Sequence, residues 1–343
     1  MKGRGDHRVL LLVLAAIMLT VLSISIRFGA IDFSIGDITS ALASLFPGHG
    51  EATLDQRIFL ELRLPRAILC MLVGASLGVG GTLMQALFRN PIVEPGLVGT
   101  SSGAAFGSAL FFVIGGIFSF GSSLYSLPIA ACIGGVVATY LVFMLARARE
   151  DGRASIVMLL LTGLAVNALM MSAIGFLSYI ARDPQARSIT FWSLGTLSGA
   201  SWTAVQVVAV STIGGTALAM TYSKQLNALM IGEEEAMYLG VNVNRLKWII
   251  LSINVVIVAV ATAFTGVISF VGLIVPHILR MLRGSDNRFL ILGSALTGAT
   301  LLSLADLIAR LVLRPAELPI GIVTSVVGVP VFLYLLRRRQ YVF

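Results

Sequence analysis

The chain has 343 residues, of which 57% are hydrophobic and only 12% charged, with a formal net charge of +8. A soluble domain carries about 25% charged residues. With half of that and a mean hydropathy of +0.95, the sequence excludes a disordered chain, a water-soluble fold and an ordinary nucleic-acid binder. The surface must face lipid, and the basic surplus reads as topology marking in short loops.

About 20 apolar residues cross a bilayer core, and the chain offers ten such runs. The first, 9–26, follows Lys2, Arg4 and Arg8. It resembles a signal peptide, but the run is long and no small-x-small cleavage site follows, so a retained span is the favoured reading. The loop 27–66 ends on Arg63-Leu64-Pro65-Arg66, two arginines at i, i+3. Span two, 67–88, carries Gly74 and Gly78 at the spacing that lets membrane helices approach closely. A turn broken by two prolines follows, Arg89-Asn90-Pro91-Ile92-Val93-Glu94-Pro95-Gly96, which serves either as a rigid turn or as a surface that a partner touches.

Span three, 96–117, carries Gly99, Gly103 and Gly107 in the same register. Its opening, Gly99-Thr100-Ser101-Ser102-Gly103, matches G-x-S-x-G. With His277 it would suggest an intramembrane serine hydrolase. That elbow needs a strand before its helix, however, and this stretch opens a membrane span. Spans four and five are 124–146 and 156–180. The following loop holds Arg182 and Arg187 and then Phe191 and Trp192, which form either an aromatic belt or a gate with Arg187 at its mouth. Cys70 and Cys132 lie in apolar runs and read as small core residues.

Span six, 204–222, leads to the most informative loop. Leu226, Leu229 and Met230 precede Gly232. The triplet Glu233, Glu234 and Glu235 follows, where a helix N-terminus favours negative charge. Met237 and Tyr238 come next, and Gly240 sits where a helix C-terminus favours glycine. The pattern predicts two short surface helices over 226–240, either docking a soluble partner or forming a solvated acidic loop. Spans seven and eight, 248–268 and 270–282, break near Ser269, and Pro276 makes the eighth irregular. Span nine, 289–311, carries Asp306 and Arg310 at i, i+4, a spacing suited to an ion pair, with Arg314 and Glu317 just beyond. Span ten is 320–336.

Ten spans put both termini on one side. That side holds sixteen of the 24 basic residues and the other side eight, which makes both termini cytoplasmic. The eight outer arginines, Arg63, Arg66 and Arg310 among them, run against the rule. Either they snorkel to lipid headgroups, or they meet an acidic extracytoplasmic partner or an anionic substrate, because arginine grips carboxylates bidentately. No G-x-x-x-x-G-K-[ST] occurs, so any ATP must be bound by another chain. Intramembrane acids are scarce, which weakens a proton-coupled secondary transporter. No metal-ligand spacing is visible.

Taken together, Arg63-Leu64-Pro65-Arg66, the stretch 80–99, the loop 232–240, Phe270-Val271-Gly272-Leu273-Ile274-Val275-Pro276-His277-Ile278-Leu279-Arg280 and Glu317-Leu318-Pro319-Ile320-Gly321 resemble the permease subunits of type II ABC importers. This is the FecCD-like family, which carries heme, ferric siderophores or vitamin B12. The resemblance spans nearly the whole chain and keeps the motif order. It implies an all-α bundle of ten transmembrane helices, residues 1–343 forming one permease domain that works as a homodimer in the bacterial inner membrane. It implies two cytoplasmic ATPase subunits that bind ATP and Mg, and a periplasmic substrate-binding protein; the permease itself is no enzyme and needs no cofactor. The coupling helices of the family fall on 226–240. Its docking arginines fall on Arg63, Arg66 and Arg310. The segment around Phe191 and Trp192 looks closer to the heme branch than to the cobalamin branch.

Overall fold

The computed structural model describes residues 4–29, 31–45, 53–115, 125–146 and 156–337. Lys2, Arg147, Arg149, Arg153, Arg338 and Arg339, counted above as topology markers, lie outside the described residues. Every regular element among the described residues is helical. In lipid the backbone must satisfy its own hydrogen bonds, and a helix does so within one segment.

The chain begins with α1 (Arg4–Arg27), followed by two short helices, α2 (Ile35–Ala43) and α3 (Leu54–Ile58). Capping boxes open both of the latter, Ser34 with Asp37 and Thr53 with Gln56. A π-helical turn, Phe59–Arg63, carries α3 directly into α4 (Leu64–Leu87). The second predicted span is therefore the inner part of one continuous 34-residue helix. There follow α5 (Thr100–Ile114), α6 (Ser126–Ala146), α7 (Ile156–Ile180), α8 (Asp183–Ser193) and α9 (Trp202–Thr221). Next come α10 (Ser223–Ile231), α11 (Glu233–Tyr238), α12 (Val243–Thr265), α13 (Val271–Arg283), α14 (Asn287–Leu311) and α15 (Ile320–Arg337). The ten predicted spans correspond to α1, α4–α7, α9 and α12–α15. Seven are long and apolar enough to cross a bilayer, while α5 and α15 are shorter apolar helices and α13 has 13 residues.

The core forms around α4, which packs against α14, α12, α13 and α9. Lipid is as apolar as leucine, so close packing rather than water exclusion must hold such a bundle together. Gly74 and Gly78 provide that closeness: a Cβ on either would fall on the backbone of Gly298 or Ser294 in α14. Gly103 and Gly107 do the same against Gly134 and Ala130 of α6. Gly99 departs from the expected register. It adopts a left-handed φ of 89° after a 3-10 turn at Pro95–Val98, so α5 starts only at Thr100. No strand precedes Ser101 among the described residues, so the serine-hydrolase elbow has no scaffold here.

The break predicted near Ser269 is an irregular link between α12 and α13. Phe270 turns it with a φ of 69°, and its amide donates to Glu94 Oε1 at 2.8 Å. The proline-rich turn thus reaches back into the bundle to cap α13. Pro276 lacks the N–H that would pair with the Gly272 carbonyl. Gln85 of α4 compensates, its Nε2 donating to Gly272 and Leu273 carbonyls at 3.4 and 3.1 Å.

Candidate functional site

Two clusters of polar residues stand at opposite ends of the bundle. The first is built by α10 and α11, with extended Gly232 between them (φ 171°, ψ 159°). Gly240 closes the second helix with a φ of 79°, as its position predicts. Leu226 and Leu229 are fully buried. Both were expected to contact a partner; instead they anchor α10 to its own bundle, because the apolar face of a short helix packs on the nearest apolar surface. Asn227 locks α10 to the start of α14. Its Nδ2 donates to Asp286 Oδ1 at 2.8 Å, and its Oδ1 accepts from the backbone N and Nδ2 of Asn287, each at 2.8 Å. Asn287 Nδ2 also lies 3.1 Å from Met230 Sδ.

The glutamate triplet divides. Glu233 is held by Lys247 of α12 at 2.8 Å and approached by Arg89 at 3.9 Å. Glu234 and Glu235 are exposed. Apolar residues face outward beside them: Ile231, Met237, Tyr238 and Leu239, with Tyr238 88% exposed. Ile231 and Met237 line a groove of about 730 Å³ together with Arg89, Glu234 and Asn244. Exposed apolar residues gathered beside a polar groove are unusual on a free surface. The sequence pattern marked Met237 and Tyr238 but not Ile231 or Leu239, because spacing cannot separate a face turned inward from one turned outward.

The second cluster lies at the end carrying α2, α3 and α8, termed here the outer end. Arg66, in the first turn of α4, donates from Nη2 to Asp306 Oδ1 at 2.9 Å and from Nη1 to both Glu317 oxygens at 2.8 and 2.9 Å. Arg310 donates from Nε to Asp306 Oδ2 at 2.8 Å, the i, i+4 pair expected from spacing. Its other nitrogens reach the Phe28 carbonyl and the carbonyl and hydroxyl of Ser25 at the end of α1. Arg310 is only 3% exposed, so its expected place on the docking face is corrected: it is an internal clamp. A buried guanidinium needs every donor satisfied, and α1 supplies what Asp306 does not.

Arg63 is half-buried, its guanidinium donating to the carbonyls of Phe28 and Ile31 at 3.2 and 2.6 Å. Arg314 pairs with Asp32 at 3.3 Å. The Asp32 carboxylate accepts the Gly29 amide and faces Arg314 and Arg63, which together hold it below the usual carboxylate range. The outer segments 27–66, 182–203 and 306–319 contain eight basic and eight acidic residues. The outer arginines are thus matched in number by acids of the same sequence segments.

The expected gate residues also part company. Arg187 and Phe191 are exposed, but Trp192 is 7% exposed and packs against α5. Trp192 is thus packed into its own bundle, and its carbonyl sits where a Cβ on Gly266 would fall. Phe191 shares an outer cavity of about 270 Å³ with Arg66, Ser198, Glu317 and Pro319. The segment after α8 is stitched to its neighbours. Thr196 N donates to the Thr265 carbonyl at 2.8 Å, and Ile320 and Gly321 amides donate to Gly195 and Leu194 carbonyls at 3.2 and 3.0 Å.

The FecCD transport family matches residues 14–338. The hemin transport system permease protein HmuU of Yersinia pestis is 40% identical over 99% of this chain and 98% of its own length. The Fe(3+)-citrate import system permease protein YfmD of Bacillus subtilis is 36% identical over 99% and 98%. A cobalamin import permease of Halobacterium salinarum is 39% identical over 83% and 74%. Among solved structures, an inward-facing metal-chelate type ABC transporter superposes with a TM-score of 0.83 at 31% identity, covering 96% of this chain and 99% of that one.

Proposed function

We propose, from the premise that this chain belongs to the FecCD transport family of ABC importer permeases, that its cargo is heme. The observation that carries this reading is the end-to-end likeness to a hemin permease at 40% identity. Two copies of the chain enclose the pathway in the bacterial inner membrane, with both termini cytoplasmic. A periplasmic binding protein delivers heme at the outer end. Two ATPase subunits sit beneath α10 and α11, and nucleotide with Mg bound there supplies the free energy.

Within this chain the work is mechanical. Ile231, Met237, Tyr238 and Leu239 seat in the ATPase partner, with Glu234 and Glu235 at the rim. Movement of α10 is passed to α14 through the Asn227–Asn287 and Asn227–Asp286 bonds. Movement of α11 is passed to α12 through Glu233 and Lys247. Both receiving helices pack directly on α4, so a push on the short helices tilts the bundle as a body. At the outer end Arg63 and Arg66 receive carboxylates of the binding protein, while Arg310 keeps Asp306 in place. The exposed Phe191 and Arg187 border the entry.

The test is transport by the permease–ATPase complex reconstituted in proteoliposomes with binding protein inside the same assay. Hemin uptake that requires ATP is expected. Uptake of cobalamin or ferric citrate in place of hemin reassigns the cargo, and uptake driven by an ion gradient without ATP overturns the mechanism.

A further inference from the structure

Arg66 presents two edges, and two acids of different character occupy them. Nε and Nη2 bind Asp306 at 3.2 and 2.9 Å. Asp306 is 1% exposed and clamped from its other oxygen by Arg310, so that side of the fork is fixed. Nη1 is chelated by both oxygens of Glu317, whose side chain is 35% exposed. Glu317 stands in the exposed segment 312–319 between α14 and α15, and its acid group closes one wall of the outer cavity beside Phe191. Any carboxylate arriving from outside must take the position that Glu317 holds, because the opposite edge of Arg66 is buried against Asp306.

We propose that Glu317 is an internal stand-in for a partner's carboxylate, occupying the Arg66 seat in the free permease and leaving it when an acidic partner docks. The inference rests on the docking role given to Arg63 and Arg66 above. It identifies the residue that sets what Arg66 accepts. The exchange is like for like, one carboxylate for another on the same Nη1, so the partly buried Arg66 keeps a carboxylate before and after docking, and the displaced Glu317, already 35% exposed, turns to water. Arg63, Arg66, Arg310 and Arg314 face Asp32, Asp306 and Glu317 in this cluster. With Glu317 in place the cluster is close to neutral, and it attracts lipid phosphates or stray anions weakly. The seat also has an outlet. Glu317 lies three residues before Ile320, whose amide and that of Gly321 bind the Gly195 and Leu194 carbonyls. Releasing Glu317 loosens the segment that positions the start of α15 against the outer cavity wall.

The experiment titrates hemin-loaded binding protein onto the permease–ATPase complex in nanodiscs, comparing wild type, Glu317→Gln, Arg63→Glu and the double variant across salt concentrations. An exposed ion pair that must break on docking opposes binding by a few-fold, so Glu317→Gln is expected to bind about threefold to fivefold tighter at low salt, with a steeper salt dependence. Its thermal stability is expected to stay near wild type, because Asp306 still holds Arg66. Unchanged or weaker binding by Glu317→Gln, with Arg63→Glu still impaired, overturns the stand-in role and leaves docking intact. Unchanged binding by Arg63→Glu overturns the docking reading itself, whatever Glu317→Gln does.

Discussion

The two ends of this bundle use their scarce polar residues in opposite ways. At the outer end arginines meet acids of the same chain: Asp306 joins Arg66 and Arg310 in a buried clamp, Glu317 joins Arg66, and Asp32 joins Arg314 at the exposed fringe. At the α10–α11 end one glutamate is tied down by Lys247, while apolar Ile231, Met237, Tyr238 and Leu239 stand exposed beside a groove. A charge at the outer end is first a structural member and only then available to a partner. At the other end the exposed apolar rim has no structural use within the chain. The lesson is that burial, which spacing along the chain does not report, decides which polar and apolar residues are left free to face outward.

The largest expected effect breaks the outer cluster at its centre. Asp306→Ala leaves Arg310, 3% exposed, without its carboxylate. Removing one partner of a buried pair costs about 3–5 kcal/mol, so thermal unfolding of the purified permease should fall sharply. If Asp306→Ala melts like wild type, the cluster is not the keystone its geometry implies.

Next comes the contrast within the short helices. Leu229→Ala empties a fully buried site and should destabilise the fold by about 2–4 kcal/mol. Tyr238→Ala, at 88% exposure, should leave the melting curve alone. It should instead weaken ATPase association about tenfold, as loss of an aromatic interface anchor does. Pull-down and thermal unfolding measured on both variants separate the two roles. The reverse pattern, with Leu229→Ala stable but uncoupled, would restore the partner-facing role that the sequence pattern gave that leucine.

Much of this architecture was legible in the sequence. Apolar runs placed α1, α4–α7, α9 and α12–α15, and the run 156–180 coincides with α7 (Ile156–Ile180). The break between α12 and α13 and the paired short helices around Gly232 were legible because glycine and proline act locally. The Asp306–Arg310 pair was legible because i, i+4 is a local relation. What stayed hidden was long-range. Nothing in the spacing brings Arg66 to Asp306 across 240 residues, or Glu94 to the Phe270 amide. Nor does it reveal that Leu226 and Leu229 turn inward, since a short amphipathic helix buries the same residues whether it packs on its own bundle or on a partner.

A smaller effect is expected at the α10–α11 end, where Lys247 pairs with Glu233 at 2.8 Å. Lys247 is nearly buried and Glu233 about one-third exposed. Lys247→Met removes the cation but keeps a matching apolar stem, and Glu233 can turn toward Arg89 or water. The fold should lose about 1 kcal/mol or less, while ATP-driven transport falls more than stability does, because α11 no longer pulls on α12. Equal losses in both would reduce the pair to a structural tie.

The smallest effect sharpens the comparison from the outer side. Asp32 is exposed, and its carboxyl is held down by the Gly29 amide, with Arg314 and Arg63 adding to the effect. A carboxylate whose folded value is depressed stabilises the native state above its unfolded value of about 3.9, and that contribution is lost as the pH falls through the folded value. Asp32→Asn should therefore melt slightly below wild type at neutral pH and converge with it in strong acid. Because this pair is solvated, the gap should also close as salt is added. The Asp306 cluster, screened by protein rather than by ions, should keep its stability through the same titration with salt. If both respond to salt alike, the outer end is not divided into a buried clamp and an exposed fringe, and the contrast between the two ends of the bundle loses its basis.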